Sequence, residues 1–395
     1  MAIDDYKTPD DYYKTPGVYR EESFRRPEAK LPTGIPGFVG FFQAKPSEKQ
    51  AKPLESEKDF PVNTPRALHR QEEFSEEFIA QGYLLEAVTG FFANGGTRCY
   101  VVRADFKQEP KSDLEALEAA LSSLAPLKDL DLLAVPDAMR LTDESAIIQV
   151  QQAMLQQCAQ QGDRFAILDA LATVKKQQEA IVRGQPEPIN AALYYPWLKN
   201  TQGRWVPPCG HIAGIFARSD RARGVFKAPA NEEIEDALDL QVAINNSLQD
   251  ELNPLGINCL RAFPGRGLRV WGARTLSQDP NWRYLNVRRL FLTLGRWIDQ
   301  NLGWASFEPN SPRLWVRIGR ELSAYLTQLW QSGALQGASP AQAFYVKCDA
   351  ETNPTDLREK GEVLTEIGLA TAAPAEFLVI RIVHRAGSVE IRPTA

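Results

Sequence analysis

Apolar residues recur along this chain at two spacings, and the switches between them outline its elements. Cys99–Val102, Leu130–Asp137, Phe165–Asp169 and Ala191–Trp197 are short, nearly continuous apolar runs, as expected of buried strands. Between them, Leu114, Leu117, Leu121 and Leu124, then Ile147 to Cys158, keep helical spacing, and Ala180–Ile189 holds another short element. Such alternation predicts parallel strands joined by right-handed crossovers, an α/β unit. Upstream, Gly34 to Phe42 predicts a glycine-punctuated strand. Phe74, Phe78, Tyr83, Leu84 and Val88 predict one helix running into Phe91-Phe92 and stopped by Gly95-Gly96. Pro207 to Asp220 predicts a helix whose Ala213, Gly214 and Ala217 leave room for the close approach of another element.

From Leu255 the pattern changes. Ile257, Cys259, Leu260 and Phe263 lead into Gly265-Arg266-Gly267, and Leu268, Val270 and Trp271 follow, which is strand–turn–strand chemistry. Val287, Leu290, Phe291, Leu294 and Ile298 mark one face of an amphipathic helix. Trp315, Ile318, Leu322, Tyr325, Leu326, Leu329 and Trp330 mark a second, closed by Gly333. Ala343–Asp349 predicts a strand, Glu351–Pro354 a turn, and Phe377–Val383 a long strand with apolar alternation. Residues 1–11 and Pro46–Pro61 carry charge and turn chemistry without period, as loops and free ends do.

Composition sets bounds on this picture. A chain of 395 residues with 44% hydrophobic and 24% charged residues suits a globular protein of two or three domains. No apolar run approaches the roughly 20 residues that cross a bilayer. Met1–Lys14 is polar and acidic, unlike a secretory signal. Five scattered Cys without a CxxC pair point to a reducing compartment, with neither disulfides nor zinc. A net charge of −5 argues against nucleic acid as the main partner. Against that background, Leu255–Gln300 holds eight Arg (261, 266, 269, 274, 283, 288, 289, 296) and two Asp (279, 299), a net +6. All the cations are Arg, the residue suited to bidentate pairing with carboxylates, so the stretch is either a solvated face or a surface for an acidic partner.

Candidate chemistry is sparse. Asp137 and Asp169 follow strand ends, where α/β enzymes place catalytic groups, but Asp there also serves as a cap or turn former. The three His are 69, 211 and 384, and His211 alone lies in the α/β region. Gly337-Ala338-Ser339-Pro340-Ala341 lacks the last Gly of a nucleophile elbow and precedes a strand. Gly265-Arg266-Gly267 lacks the third Gly of a dinucleotide loop, and no P-loop occurs. Cys209 with His211 has no second ligand pair for a metal. The reading is no enzyme, no cofactor and no metal.

Several longer passages carry a resemblance. Asn253-Pro254-Leu255-Gly256-Ile257-Asn258, Val270-Trp271-Gly272-Ala273-Arg274-Thr275-Leu276 and Tyr284 to Leu290 resemble phage-type contractile tail sheath proteins. So do Thr15-Pro16-Gly17-Val18-Tyr19, Gly34 to Gly40, Phe91 to Arg103, Lys227-Ala228-Pro229-Ala230-Asn231, and Gly361–Ile382 with its Pro374-Ala375-Glu376-Phe377. Phe226 stands where Trp is common and Thr371 where Pro is usual. The likeness runs from Thr15 to Ile382.

That resemblance implies an α/β (α+β overall) fold and a division of the chain. Residues 1–22 would be a linking arm, and 23–95 would pack with the C-terminal domain. Residues 96–250 would form a subtilisin-like middle α/β domain, 251–383 a tube-facing C-terminal sheath domain, and 384–395 a second arm. Thr15, Pro16, Gly17, Val18, Tyr19, Ser388, Val389 and Ile391 would reach neighbouring subunits, and Phe377, Val379, Ile380 and Ile382 would pair strands. Arg288, Arg289, Arg313 and Arg317 would face an inner tube. The implied function is a sleeve of stacked six-subunit rings that contracts and drives the tube through an envelope. Its partners would be itself, the tube, and baseplate and cap proteins, without nucleic acid or membrane insertion. It would be made in the bacterial cytoplasm and join a phage tail or tail-like particle. A non-contracting shell or baseplate protein, or a subtilisin-like hydrolase, remains open at this point.

Overall fold

The computed structural model describes residues 31–44, 61–75, 78–107, 110–371, 378–385 and 388–393. The expected arm residues Thr15, Pro16, Gly17, Val18 and Tyr19, most of the Pro46–Pro61 loop, and Phe377 lie outside the described residues. In chain order the first strands are β1 (Pro36–Gly40), β2 (Phe42–Ala44), β3 (Arg66–Leu68), β4 (Phe78–Ala80), β5 (Cys99–Arg103), β6 (Leu132–Ala134), β7 (Phe165–Asp169) and β8 (Ala191–Tyr195). Then come β9 (Leu198–Asn200), β10 (Trp205–Val206), β11 (Ala237–Leu240), β12 (Ile257–Phe263) and β13 (Gly267–Trp271). Last are β14 (Phe344–Lys347), β15 (Val363–Leu369), β16 (Leu378–Arg385) and β17 (Ser388–Pro393).

Eight of these strands form one sheet in the order β13-β12-β8-β7-β6-β1-β5-β3. The six inner strands are parallel, and β13 and β3 flank them antiparallel. Both faces are covered, so successive strand residues alternate between two cores. Phe165 and Ile167 join Phe38 and Tyr194 on one side, and Ala166 and Leu168 join Val39 and Leu193 on the other. Helices Pro110–Ser122, Glu144–Gln161 and Val174–Val182 cover the second face. Helices Leu84–Ala93 and Cys209–Arg223 cover the first. These two pack backbone to backbone. A methyl at Gly210 would collide with the Ala87 carbonyl, and one at Gly214 with the Phe91 carbonyl.

The division of the chain differs from the expected one. Strand β1 lies inside the sheet, and β3 and β5 complete its edge, so much of the 23–95 segment belongs to the α/β unit. At the other boundary, β12 joins β8 in parallel, with Ile257 opposite Leu193, and β13 hairpins onto β12. The 255–271 hairpin is therefore the far edge of the same sheet and not the start of the next layer. The single helix expected from Phe74 to Phe92 is also broken. Glu72–Ser75 is one turn, and β4 pairs with β2. Phe42, Phe74 and Phe78 gather edge to face, with Phe42 5.1 Å from each of the other two. That aromatic packing outweighs the helical spacing of the same residues.

After Leu276 the chain builds a second layer. Helices Leu285–Asn301 and Pro312–Gln331 lie against an antiparallel sheet in the order β14-β15-β16-β17. Val287, Leu290, Phe291, Leu294 and Ile298 share this core with Trp315, Ile318, Leu322, Ile367 and Leu369, as the spacing predicts. The Leu285–Asn301 helix has a second stripe at the same period, Leu285, Arg289, Leu292 and Arg296, all buried. Leu285 and Leu292 belong to the core of the central sheet. One helix thus serves both layers. No described helix is long and apolar enough to cross a membrane.

Candidate functional site

The groups that tempt an enzymatic reading are occupied by the backbone. Asp137 is fully buried, and its carboxylate accepts the Phe41 N–H at 2.6 Å and the Tyr83 N–H. Asp169 accepts the Cys209 N–H at 2.8 Å and so anchors the first turn of the Cys209–Arg223 helix. Burial pushes Asp137 up to about 6 and Asp169 up to about 7, against the hydrogen bonds that hold each charge. Burial also raises the Cys209 thiol well above its ordinary range, which suppresses the thiolate a nucleophile requires. His211 is wholly buried beside Gly90, and its Nε2 lies 3.8 Å from Asp236 Oδ2, too far for a hydrogen bond. Among the described residues, no three His, Cys, Asp or Glu side chains are placed to hold a metal ion.

The charged chemistry instead gathers where the two layers meet. Arg289, 2% exposed, donates to both Asp220 oxygens at 2.8 and 2.6 Å and to Asp131 Oδ2 at 3.2 Å. Its guanidinium also lies 4.8 Å from the centre of the Phe216 ring. Burial works against its charge, but the carboxylates of Asp220 and Asp131 hold its proton more tightly than in water. Asp131 further accepts the N–H groups of Gly34 and Ile35, at 3.0 and 2.7 Å. This one carboxylate therefore ties together the lead-in to β1, the start of β6 and the Leu285–Asn301 helix. Arg296 donates to the Asp129 carbonyl at 3.2 Å and lies 3.9 Å from Asp131. Next to it, the fully buried Arg164 pairs with Asp163 at 2.7 Å and donates to the Leu124 and Leu127 carbonyls. Those carbonyls end the Pro110–Ser122 helix and its following turn, so the guanidinium supplies donors to them.

This geometry corrects the expectation that Arg289 faces a partner: it is the centre of the interlayer joint. Arg288 is also withdrawn from the surface. It donates to Asn190 Oδ1 at 2.5 Å and covers the Trp282 ring at 4.7 Å, and burial pulls its pKa down to about 10. Arg313 and Arg317 are exposed. With Val316 and Arg320 they form the outward stripe of the Pro312–Gln331 helix, at i, i+3, i+4 and i+7. The joint has a trace in the sequence. The second stripe, Leu285, Arg289, Leu292 and Arg296, has the same period as the apolar one but carries two charges.

At the C-terminal end, Val379, Ile380 and Ile382 lie in β16, in register with Gly368, Ile367 and Thr365 of β15. Ser388, Val389 and Ile391 lie in β17, opposite Arg385, His384 and Ile382 of the same chain. Strand β17 is the outermost strand of its sheet, and β14 is the other edge.

Comparison with known proteins matches this architecture. Residues 112–276 fit the family model of the phage tail sheath protein central domain, and residues 277–385 that of the phage tail sheath C-terminal domain. The boundary between the two falls after the β12–β13 hairpin, where the structure changes layer. The chain is similar to a subunit of the anti-feeding prophage helical sheath in its contracted state. Identity there is 31%, 92% of this chain and 98% of that chain are covered, and the TM-score is 0.71. A chain in the six-fold symmetrised baseplate of the same particle aligns with 30% identity, covering 92% and 97%, at a TM-score of 0.72. The tail sheath protein of Vibrio phage KVP40 is 29% identical over 188 residues, 47% of this chain and 27% of the phage protein. The match thus spans about a quarter of that relative's length. These relatives are structural sheath proteins and not enzymes, which agrees with carboxylates spent on backbone N–H groups. The chain belongs to the phage tail sheath family.

Proposed function

We propose that this chain is the repeating subunit of a contractile sleeve, in which stacked rings of six subunits surround an inner tube and shorten to drive it through a target envelope. The observation that carries this reading is the likeness, over 92% of the chain, to a helical sheath in its contracted state. In this reading the subtilisin-like α/β unit is a scaffold without bond chemistry. The subunit would be made in the bacterial cytoplasm and join a phage tail or tail-like particle with baseplate and cap proteins.

Contraction then needs two packings of rigid subunits that differ by a few kcal/mol each, summed over the sleeve. Continuity comes from the two ends of the chain. Contrary to the expected C-terminal arm, Ser388–Ile391 stay paired with β16 of their own chain and make β17 the open edge of the terminal sheet. In this reading Thr15–Tyr19 alone would reach a neighbouring copy and add a strand to that edge. An edge strand left open invites uncontrolled pairing, and donation between subunits turns that hazard into a link. The exposed stripe of Arg313 and Arg317 faces the tube.

Electron microscopy of the purified chain tests the proposal: six-fold sleeves are expected, in a long and a short state. A variant lacking residues 1–22 should fold but form no sleeves, and ordinary sleeves from it would refute the arm assignment. The likeness to a chain in a baseplate supports a second reading, a copy that ends the sleeve. Rings that never adopt a second, shorter state would favour it.

A further inference from the structure

The loop between the two C-terminal-layer helices presents an aromatic side chain to solvent. Phe307 is 93% exposed, and its backbone sits at φ +69°, a left-handed conformation that bulky L residues avoid. The loop around it is pinned on both sides. Trp304 donates from Nε1 to Glu321 at 2.9 Å and lies beneath the Arg317 guanidinium, 3.5 Å from its ring centre. Asn310 donates to the Glu362 carbonyl at 2.9 Å and accepts from Trp315 Nε1 at 2.8 Å. Phe307 is thus held outward at a local energetic cost, 93% exposed among the described residues. The loop leads into the Pro312–Gln331 helix, whose outward stripe is Arg313, Val316, Arg317 and Arg320, with Arg317 over Trp304 of the loop and Val316 70% exposed. Among the described residues Arg313 and Arg320 have no ion-pair partner, and Glu321 is engaged with Trp304 and Arg317.

We propose that Phe307 is the apolar anchor of the tube-facing surface, seated in a hollow of an acidic protein partner while Arg313, Arg317 and Arg320 pair with carboxylates around it. The proposal rests on the reading that this stripe faces the inner tube, and it names what that reading lacks. Unpaired guanidiniums call for an acidic surface by charge complementarity. An exposed ring held on strained backbone calls for a desolvated pocket, because aromatic side chains at the centre of an interface contribute most to binding. The Arg residues give attraction and register, and the ring gives residence time.

The test uses the full chain and inner-tube polymers purified from the same particle, with sleeve formation, tube co-sedimentation and melting temperature read in parallel. Phe307→Asn relieves the left-handed strain, so its melting temperature is expected to equal or exceed the parent's. Its sleeves should form normally, while the concentration for half-maximal tube binding should rise about 10- to 100-fold. Arg313→Glu with Arg317→Glu should lose tube binding in low salt as well. Unchanged tube binding in Phe307→Asn, with binding lost in the Arg pair variant, overturns the anchor and leaves the tube-facing reading intact. Loss of sleeves in both variants with tube binding intact makes the stripe a contact between copies and overturns both. Binding of the parent to phosphatidylglycerol vesicles that Phe307→Asn abolishes, with tube binding unchanged, assigns the face to a membrane and overturns the proposal too. A fall in melting temperature in Phe307→Asn makes the ring structural and overturns it.

Discussion

Replacing Arg289 by Met tests whether the buried joint holds the two layers together. Met matches the aliphatic reach of the side chain but removes both hydrogen bonds to Asp220 and the one to Asp131. The two carboxylates do not suffer equally. Asp131 keeps the Gly34 and Ile35 N–H groups and the nearby Arg296. Asp220, with a side chain 1% exposed, loses its bidentate partner and is left as a buried charge. Breaking a buried pair on one side costs about 3–5 kcal/mol. A chain of 395 residues has a melting entropy near 0.8 kcal/mol/K, taking about 2.1 cal/mol/K per residue, so the expected fall is roughly 4–6 °C.

Two controls separate this cause from lost packing. Arg289→Met with Asp220→Asn removes the stranded charge and should recover at least half of the deficit. Proton uptake gives the second control. Burial already raises the Asp220 pKa, and without Arg289 it rises further. A carboxyl whose folded pKa is raised contributes stability at low pH that is lost as pH increases through that value. The Arg289→Met deficit should therefore be smaller at pH 5 than at pH 8. Calorimetry of the full chain at both pH values supplies the readout. A fall under about 1 °C, or a double variant less stable than the single one, refutes the assignment.

Three further outcomes follow from the same geometry. Asp169→Asn keeps an acceptor for the Cys209 N–H but cannot titrate. Because the folded pKa of about 7 exceeds the unfolded value near 4, the parent loses stability as pH rises between them, and the variant should gain on it by about 1–3 kcal/mol at pH 8. Equal melting-temperature slopes against pH in the two proteins would contradict this. Gly214→Val drives a branched side chain into the Phe91 carbonyl and should cost about 3 kcal/mol or prevent folding, whereas Gly184→Ala meets no neighbour, bears only the strain of its left-handed backbone at φ +73°, and should cost under about 2. Charge reversal at Arg313 and Arg320, both exposed and without an ion-pair partner among the described residues, should leave the melting temperature within about 1 °C while weakening tube binding in the proposed tube-facing role, and a large thermal loss would place them in the fold instead.

Much of the architecture was legible because it depends on local pattern. The apolar runs at Cys99–Val102 and Phe165–Asp169 became central strands, and Val287 to Ile298 became a helix with the expected face. Ala213 and Gly214 marked the helix that packs closely, although Gly210 and Gly90 make equally tight contacts. Long-range pairing was not legible. Strand β12 belongs to the α/β unit only because Ile257 meets Leu193, more than sixty residues earlier, and neither residue type announces that partner. Phe74 and Phe78 kept helical spacing yet joined an aromatic cluster around Phe42, which is a tertiary choice. Arg289 was the informative error. Its charge reads as surface, since Arg is rarely buried without partners, and its partners Asp131 and Asp220 are remote in sequence.

The arginines of the C-terminal half thus divide between two tasks with different physics. Arg289 works where water is excluded, so each hydrogen bond is directional and its loss is costly. Arg313 and Arg320 work in solvent, where their attraction is weak, screened by salt and quickly broken. A subunit that changes partners without changing shape needs this asymmetry. An apolar seam between its layers would tolerate sliding, because burial is proportional to area and indifferent to direction. The bidentate Arg289–Asp220 pair, with Asp131 fixed by two backbone N–H groups, accepts one arrangement. In the proposed sleeve, strain applied at the outer surfaces would then go first into the contacts between subunits, where a few kcal/mol suffice, and would leave the joint within each subunit intact.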